Sequence, residues 1–307
     1  MPPIRFAPIY KIRPWGGRQL EATFQRTLPE GTIGESWELV DRHDDQSVVL
    51  DGPYAGLTLG EICQKHGSEI LKEGWEAKKP FPLIVKWLDA NKRLSLQVHP
   101  PADVARKHGS ESKSECWTIV KAENEAGVFA GFKKGMTQAA FEAALKEKNM
   151  EDLLHRIHTQ AGDFIFIPAG RLHTIDAGNL ILEIQENSDT TYRVFDWESQ
   201  RQTHIDKALH SINFNDFEPE IKKQGSEKEE KLLEHSLFSI KRLQLAEKEE
   251  APLPALPTAQ ILSITAGEIS CEGTSYQAGE NLLLPRGHPF KISALKNTTL
   301  IITYDFL

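Results

Sequence analysis

The 307-residue chain is short of cysteine, of net positive charge and of long apolar runs. Its three cysteines, Cys63, Cys116 and Cys271, are odd in number and far apart, and no CxxC pair occurs. That excludes a disulfide framework and a thiolate zinc site, and a reduced, cytoplasmic compartment fits best. Lys plus Arg number 36 against 44 Asp plus Glu, a net charge of −8. Phosphate contacts need a basic surface, so general nucleic-acid binding is disfavoured, as is a coat on anionic membrane. The longest apolar runs are as short as Phe164–Pro168, too short for a membrane-spanning helix. The first residues, MPPIRFAPIY, carry no continuous apolar stretch and do not read as a signal peptide.

What is present is ample core material. Apolar residues make up 39% of the chain, with fourteen Phe and six Trp, which excludes global disorder. Apolar spacing and a Gly74 stop predict a helix over Leu59–Glu73. Thr137 reads as the N-cap of a helix reaching Lys148, and a second helix is predicted over Met150–His158, within a helical insertion at about 134–160. Pro100 and Pro101 open a short helix to 108. Phe81–His99 reads as two strands around a turn at Asp89–Lys92.

The stretch 218–231, EPEIKKQGSEKEEK, carries nine charges in fourteen positions and reads as a charged linker. It divides a first domain, 1–217, from a strand-rich C-terminal β domain, 232–307. A faint internal echo joins the two. GDFIFIPAGRLHTI (162–175) and GENLLLPRGHPFKI (279–292) both run from Gly-acid through an apolar strand to a Pro corner, with Gly and His close behind.

Four segments hold chemically capable side chains. In LSLQVHP (94–100), strand alternation puts Ser95, Gln97 and His99 on one face. That face is either a polar strand surface or, if both faces are covered, the wall of a cavity holding two metal donors. Glu115 shares a face with Trp117 and Ile119 and points inward, where a carboxylate must be protonated, paired (Lys113 is the near partner) or metal-bound. His173 follows the Pro168–Gly170 corner, as a surface residue or a further donor. Gln, His, Glu and His together supply the oxygen and nitrogen donors that suit a catalytic zinc site. In LEIQENSDTTYRVFDW (182–197), Glu183 and Arg193 flank a polar turn. They form either a structural pair in a hairpin or a carboxylate and an oxyanion-binding guanidinium at one mouth.

The segments WGG (15–17), GESWEL (34–39), PLIVKWLDANKRLSLQVHP (82–100), KSECW, GDFIFIPAGRLHTI and LILEIQENSDTTYRVFDW occur in that order. Their ordered combination resembles type I mannose-6-phosphate isomerases, in the short bacterial form. The resemblance implies a mainly β fold of two cupin-like jelly-roll barrels with attached helical segments. It implies one Zn2+ per chain, held by Gln97, His99, Glu115 and His173 in the first barrel. It implies catalytic roles for Arg193 and Glu183, and substrate binding by Ser95 and Lys113. The expected partner is a small sugar phosphate, mannose 6-phosphate or fructose 6-phosphate, with no nucleic acid and no membrane. Departures from the family pattern are Val-Lys-Trp at 85–87 and Leu39-Val40. The second barrel, where only His288 echoes His173, is expected to be metal-free. Two other readings compete: a non-catalytic sugar-binding cupin, and a metal cupin of another reaction class such as an iron oxygenase.

Overall fold

The computed structural model describes residues 1–197 and 201–307. The chain is mainly β, arranged as four antiparallel sheets. Two of them build the site. One has six strands in the order Ile9–Gly17, Ile33–Leu39, Leu83–Ala90, Asn179–Glu186, Glu115–Ala122 and Phe164–Ile167. The other has five: Tyr192–Phe195, Leu96–Val98, His173–Ile175, Gly127–Phe132 and Leu154–His158.

These two sheets face one another. Trp117, Ile119, Ile165 and Ile181 of the first share a core with Val128, Ala130 and Ile175 of the second. Each also has its outer face covered, which is why its strands tolerate apolar residues on both sides. Leu96, Val98 and Tyr192 on the outside of the five-stranded sheet pack with Phe141 and Ala208, from the helices Gln138–Glu147 and Ile205–Ser211. Leu83, Val85, Trp87 and Leu182 on the outside of the six-stranded sheet pack on the C-terminal half and on the helix Leu59–Ile70.

The C-terminal half contributes a six-stranded and a four-stranded sheet with a core of their own, including Leu262, Ile264, Ile292 and Ile302. The chain's first strand, Ile4–Arg5, pairs with Leu282 and Leu283 of this half. The first 217 residues therefore lend a strand to the last 76, and the halves are laced rather than strung together. The charged stretch after Phe217 bonds Lys222 to Phe164 in both directions at 2.8 Å, then enters the strand Glu229–Glu234. The two echo segments are alike in structure. Each opens on a positive-φ glycine, Gly162 or Gly279, and each holds a strand, Phe164–Ile167 or Asn281–Leu284.

Local signals explain most boundaries. The helix Leu59–Ile70 starts at a capping box in which Thr58 and Glu61 satisfy each other's backbone N–H groups. Thr137 Oγ1 accepts from Ala140 N at 3.2 Å, as its N-cap position predicts. The predicted helix over Met150–His158 is not formed. One short turn, Glu151–Leu153, leads into the edge strand Leu154–His158. Met150, Leu154 and Ile157 have helical spacing, but Lys148 ends the preceding helix at φ 58° and pairing with Gly127–Phe132 overrides the local pattern. No helix among the described residues is long and apolar enough to cross a membrane. The three cysteines are free and buried.

Two side chains on Leu83–Ala90 tie the site sheet to its surroundings. Trp87, with no exposed surface, donates Nε1–H to Gly279 O at 3.0 Å and its ring lies 4.7 Å from that of Phe24. Asp89, equally buried, accepts the Gln19 N–H at 2.6 Å, while its Oδ1 has no hydrogen-bond partner. Burial pushes its carboxyl up to about 6 against the opposing pull of the Gln19 and Leu20 amides.

Trp87→Ala is expected to cost roughly 3–5 kcal/mol of stability, read as a lower urea midpoint by circular dichroism. A loss under about 1 kcal/mol would show that the halves do not depend on this contact. Asp89 has a pH signature. Because its pKa is raised in the fold, its contribution to stability is full below the ordinary 3.8 and is lost as pH rises through about 6. Asp89→Asn should therefore gain on the parent chain as pH climbs from about 4 to about 7 in paired urea titrations. A pH-independent difference would contradict the raised value.

Candidate metal centre and active site

The site is built by cross-strand register. On the five-stranded sheet Gln97 has His173 opposite on one side and Arg193 on the other. On the six-stranded sheet Glu183 lies between Lys86 and Trp117, and Glu115 lies opposite Gln185. Directly opposed residues share a face, and the inward faces of both sheets border one cavity of about 460 Å³. Its wall includes Ser95, Gln97, Lys113, Glu183 and Arg193. Alternation over 95–99 thus held: Leu96 and Val98 turn outward under the helices, and the polar set turns inward. Glu183 and Arg193, expected on one hairpin, stand on strands of different sheets. They reach the same cavity across the gap between the sheets.

His99 and His173, each 1% exposed, and Glu115, with no exposure, converge so that one donor atom of each lies within 4.8 Å of the others. The two imidazoles are oriented from behind. His99 Nδ1 meets Thr190 O and His173 Nδ1 meets Arg171 O, both at 2.9 Å. A carbonyl accepts only, so each Nδ1 carries the proton and each Nε2 keeps a bare lone pair. Those lone pairs face the Glu115 carboxylate, at 3.4 Å for His99 and 3.6 Å for His173.

Acceptors turned on acceptors call for a cation: Lys113 Nζ, 3.3 Å from His99 Nε2, supplies one on that side and leaves His173 Nε2 facing Glu115 Oε1. Neither histidine supplies the charge itself, because burial holds both below their ordinary value, with the second push from Lys113 on His99 and from His99 on His173, which falls to about 3. Lys113 Nζ lies 2.7 Å from Glu115 Oε2, so the Lys113–Glu115 pair read from sequence is formed. It leaves Oε1 facing His173, and neither carboxylate oxygen has an aligned hydrogen-bond donor. Gln97 completes the group, its side-chain amide 3.3 Å from His173 Nε2. Two imidazole nitrogens, a carboxylate and an amide fit a divalent ion of the zinc type, and the cavity beyond leaves the open side that a catalytic ion requires.

The charges around this group are matched. Burial alone would raise the Glu115 carboxyl, but the Lys113 charge holds it well below the usual range. Burial would lower Lys113, but Glu115 and then Glu183 raise it. Glu183 is raised, by burial first and by the Glu115 charge second. It accepts from Trp117 Nε1 at 3.0 Å and has Lys86 Nζ at 3.6 Å. The structural Glu183–Arg193 pair does not form. Arg193 donates to Ser95 Oγ at 3.3 Å and to Gln202 O at 2.8 Å, with no carboxylate within 4.0 Å among the described residues.

Several wall residues had no role in the sequence reading. Glu35 is held down to about 2: burial works against ionisation, and Lys86 and Arg13 outweigh it. It binds Arg13 and receives Trp37 Nε1–H at 2.6 Å. Lys86 is 3% exposed and lies 4.5 Å from the Trp37 ring centre. A lone lysine inside the run LIVKWL was the available signal, because a buried ammonium must be paired.

The family "phosphomannose isomerase type I, catalytic domain" matches residues 4–127. The probable mannose-6-phosphate isomerase GmuF of Bacillus subtilis is 35% identical over 299 residues, 92% of this chain and 93% of that protein. The mannose-6-phosphate isomerase ManA of the same organism is 34% identical over 302 residues, 93% of each. Among solved structures, the mannose 6-phosphate isomerase from Bacillus subtilis superposes with a TM-score of 0.87 at 28% identity, over 99% of this chain and all of that one. Phosphomannose isomerase from Salmonella typhimurium shares the fold at 16% identity, with a TM-score of 0.77 in its apo form. With a buried His–Glu–His cluster beside its cavity and relatives of this identity along nearly its whole length, the chain belongs to the type I mannose-6-phosphate isomerase family.

Proposed function

We infer that the protein interconverts mannose 6-phosphate and fructose 6-phosphate. The observation that carries the reading is the cavity beside the donor cluster, in which a buried carboxylate of raised pKa faces a guanidinium that has no carboxylate partner among the described residues. Aldose–ketose isomerisation takes a proton from C2 and returns one to C1, while the carbonyl oxygen gains a proton and the hydroxyl oxygen loses one. The intermediate is an enediol. Such chemistry needs one acid/base near both carbons and a stabiliser for the oxygen that becomes negative.

Glu183 is the proton carrier in this reading. Its raised pKa brings a carboxyl toward the range where it both accepts and donates. Trp117 and Lys86 fix its orientation. Arg193, bonded to Ser95 next to Gln97, supplies positive charge beside the reacting carbons. Ser95 and Lys113 border the donor cluster and hold sugar oxygens there. One Zn2+ per chain, held by Gln97, His99, Glu115 and His173, would polarise substrate oxygens as a Lewis acid. The wider proposal is a pair of cupin-like barrels, 1–217 and 232–307 joined by 218–231, with the second one structural and metal-free, in a cytoplasmic enzyme.

A coupled assay for fructose 6-phosphate, run with and without a chelator and across other sugar phosphates, tests the activity. Turnover of mannose 6-phosphate that chelation abolishes is the expected result. A zinc-loaded chain that forms no fructose 6-phosphate refutes the reading. For the donor set, His99→Ala and His173→Ala should each lose bound metal by mass spectrometry, and full zinc content in either would remove that histidine from the set. Arg193→Ala should keep its metal and its fold while turnover falls about 10²–10³-fold, the usual effect of deleting one oxyanion stabiliser. An active Arg193→Ala enzyme would place that side chain outside the chemistry.

A further inference from the structure

The substrate of the proposed reaction is a dianion, yet the two lysines of the cavity are committed at its floor. Lys113 lies 2.7 Å from Glu115 and 3.3 Å from His99 Nε2, and its side chain is 7% exposed. Lys86 stands between Glu183 and the Trp37 ring, 4% exposed. Arg193 is bonded to Ser95, whose hydroxyl lies 3.5 Å from Gln97 Oε1. All three serve the end where the sugar's reacting carbons belong. The phosphate, at the far end of the hexose, needs a cation nearer solvent.

Arg13 meets that description. It lines the same cavity, and its side chain is 33% exposed. Its placement comes from an interruption of the first site strand. Ile33 pairs with both Ile12 and Gly17, so residues 13–16 leave the ladder and rise over the cavity. Such irregularities re-aim side chains at functional sites.

The excursion is held from every side. Arg13 N donates to Thr32 O at 3.1 Å, and Thr32 Oγ1 donates to Arg13 O at 2.9 Å. Trp15 O accepts from the amides of Asn91 and Lys92, each at 3.0 Å. Two glycines allow the close approach. A Cβ on Gly16 would stand 2.4 Å from Gly34 N, and one on Gly34 would stand 2.5 Å from Arg13 Cβ. The guanidinium itself is steadied by Glu35, which accepts Nε at 2.9 Å and Nη2 at 3.2 Å. Nη1 has no acceptor among the described residues. A planar guanidinium fixed along one edge presents its other edge to a phosphate.

We propose that Arg13 is the phosphate-recognition residue of this cavity, setting the substrate's direction by binding its phosphate group at the mouth while the sugar's first carbons meet the donor cluster. The assignment rests on the isomerase reading for the identity of the substrate, but not for the binding of phosphate. Arg201, another arginine of the cavity with 31% of its side chain exposed, is bound edge-on to Asp196 at 2.9 Å and serves as the comparison residue.

Arg13→Gln should raise KM for mannose 6-phosphate roughly 10–100-fold, the scale of lost charge-assisted hydrogen bonds, and change kcat by no more than a few-fold. Arg13→Lys should recover part of the loss, and Gly34→Ala, which crowds Arg13, should show the same KM signature. Zinc content should match the parent in Arg13→Gln and Arg13→Lys, which separates this role from damage to the fold. Inorganic phosphate, titrated calorimetrically into the zinc-loaded protein, reads the site without any turnover. The parent should bind it and Arg13→Gln should bind at least about tenfold more weakly. Equal phosphate affinity in the two proteins, no phosphate binding by the parent, or an effect carried by Arg201→Gln in place of Arg13→Gln would each overturn the assignment. A parent that binds phosphate through Arg13 but forms no fructose 6-phosphate would refute the isomerase reading and leave this one standing.

Discussion

A carboxylate with no exposed surface sets the terms for everything around it. Glu115 is buried between two sheets, where an isolated negative charge is too costly to keep. The fold answers with Lys113 on one oxygen and two imidazole nitrogens turned toward the carboxylate. The lysine balances the charge, yet the histidines are held neutral by their own burial and present lone pairs rather than protons. An inert core would have no reason to anchor both imidazoles by Nδ1 to backbone carbonyls and leave both Nε2 atoms facing an anion. The same pattern is ordinary second-sphere construction around a metal ion.

That geometry in turn depends on register. A slip of one residue in Leu96–Val98 would turn Gln97 outward and bring Leu96 or Val98 into the cavity. The slip is prevented by what lies behind the strand, because Leu96 and Val98 are fully buried among Phe141, Ala208 and Ile212. The same holds across the cavity. Lys86, Glu183 and Trp117 form one row facing inward because Trp87, Leu182 and Cys116 are fixed on the outer side. The C-terminal half supplies none of the candidate ligands, but its sheet and the Trp87–Gly279 bond hold that outer face.

Much of this was legible in the residues. Period-two alternation in LSLQVHP and in ECWTI placed six inward side chains, and the Thr137 cap marked one helix start. The convergence of positions 97, 99, 115 and 173 came from resemblance to a family, since spacing along the chain carries no information about which strands become neighbours. Met150–His158 misled because apolar spacing i, i+4, i+7 suits a helix, while edge pairing is a tertiary effect. The pairing of Glu183 with Lys86 and not Arg193 was likewise hidden, because it follows from two strands lying in different sheets. Lys86 left a trace, a charge inside an apolar run. Arg13 left almost none, since a break in a ladder depends on the glycine that faces it, Gly34, twenty-one residues further on.

Charge and exposure together explain how an acidic protein receives an anion. Among the described residues the cavity holds five cationic side chains, Arg13, Lys86, Lys113, Arg193 and Arg201, against three carboxylates, Glu35, Glu183 and Asp189. This reverses locally the net −8 of the whole chain, and a concave, low-dielectric wall concentrates such a field. The cations are graded by exposure, the two lysines beneath and Arg13 and Arg201 above. Burial suits the lysines, whose single ammonium pairs with a single carboxylate oxygen inside the wall. It suits the arginines less, because a guanidinium clamped by one carboxylate still has donors to offer, and those donors are useful only where a ligand can reach them. The gradient therefore gives the cavity a direction, with acid–base and metal-binding groups at depth and anion-binding groups at the opening.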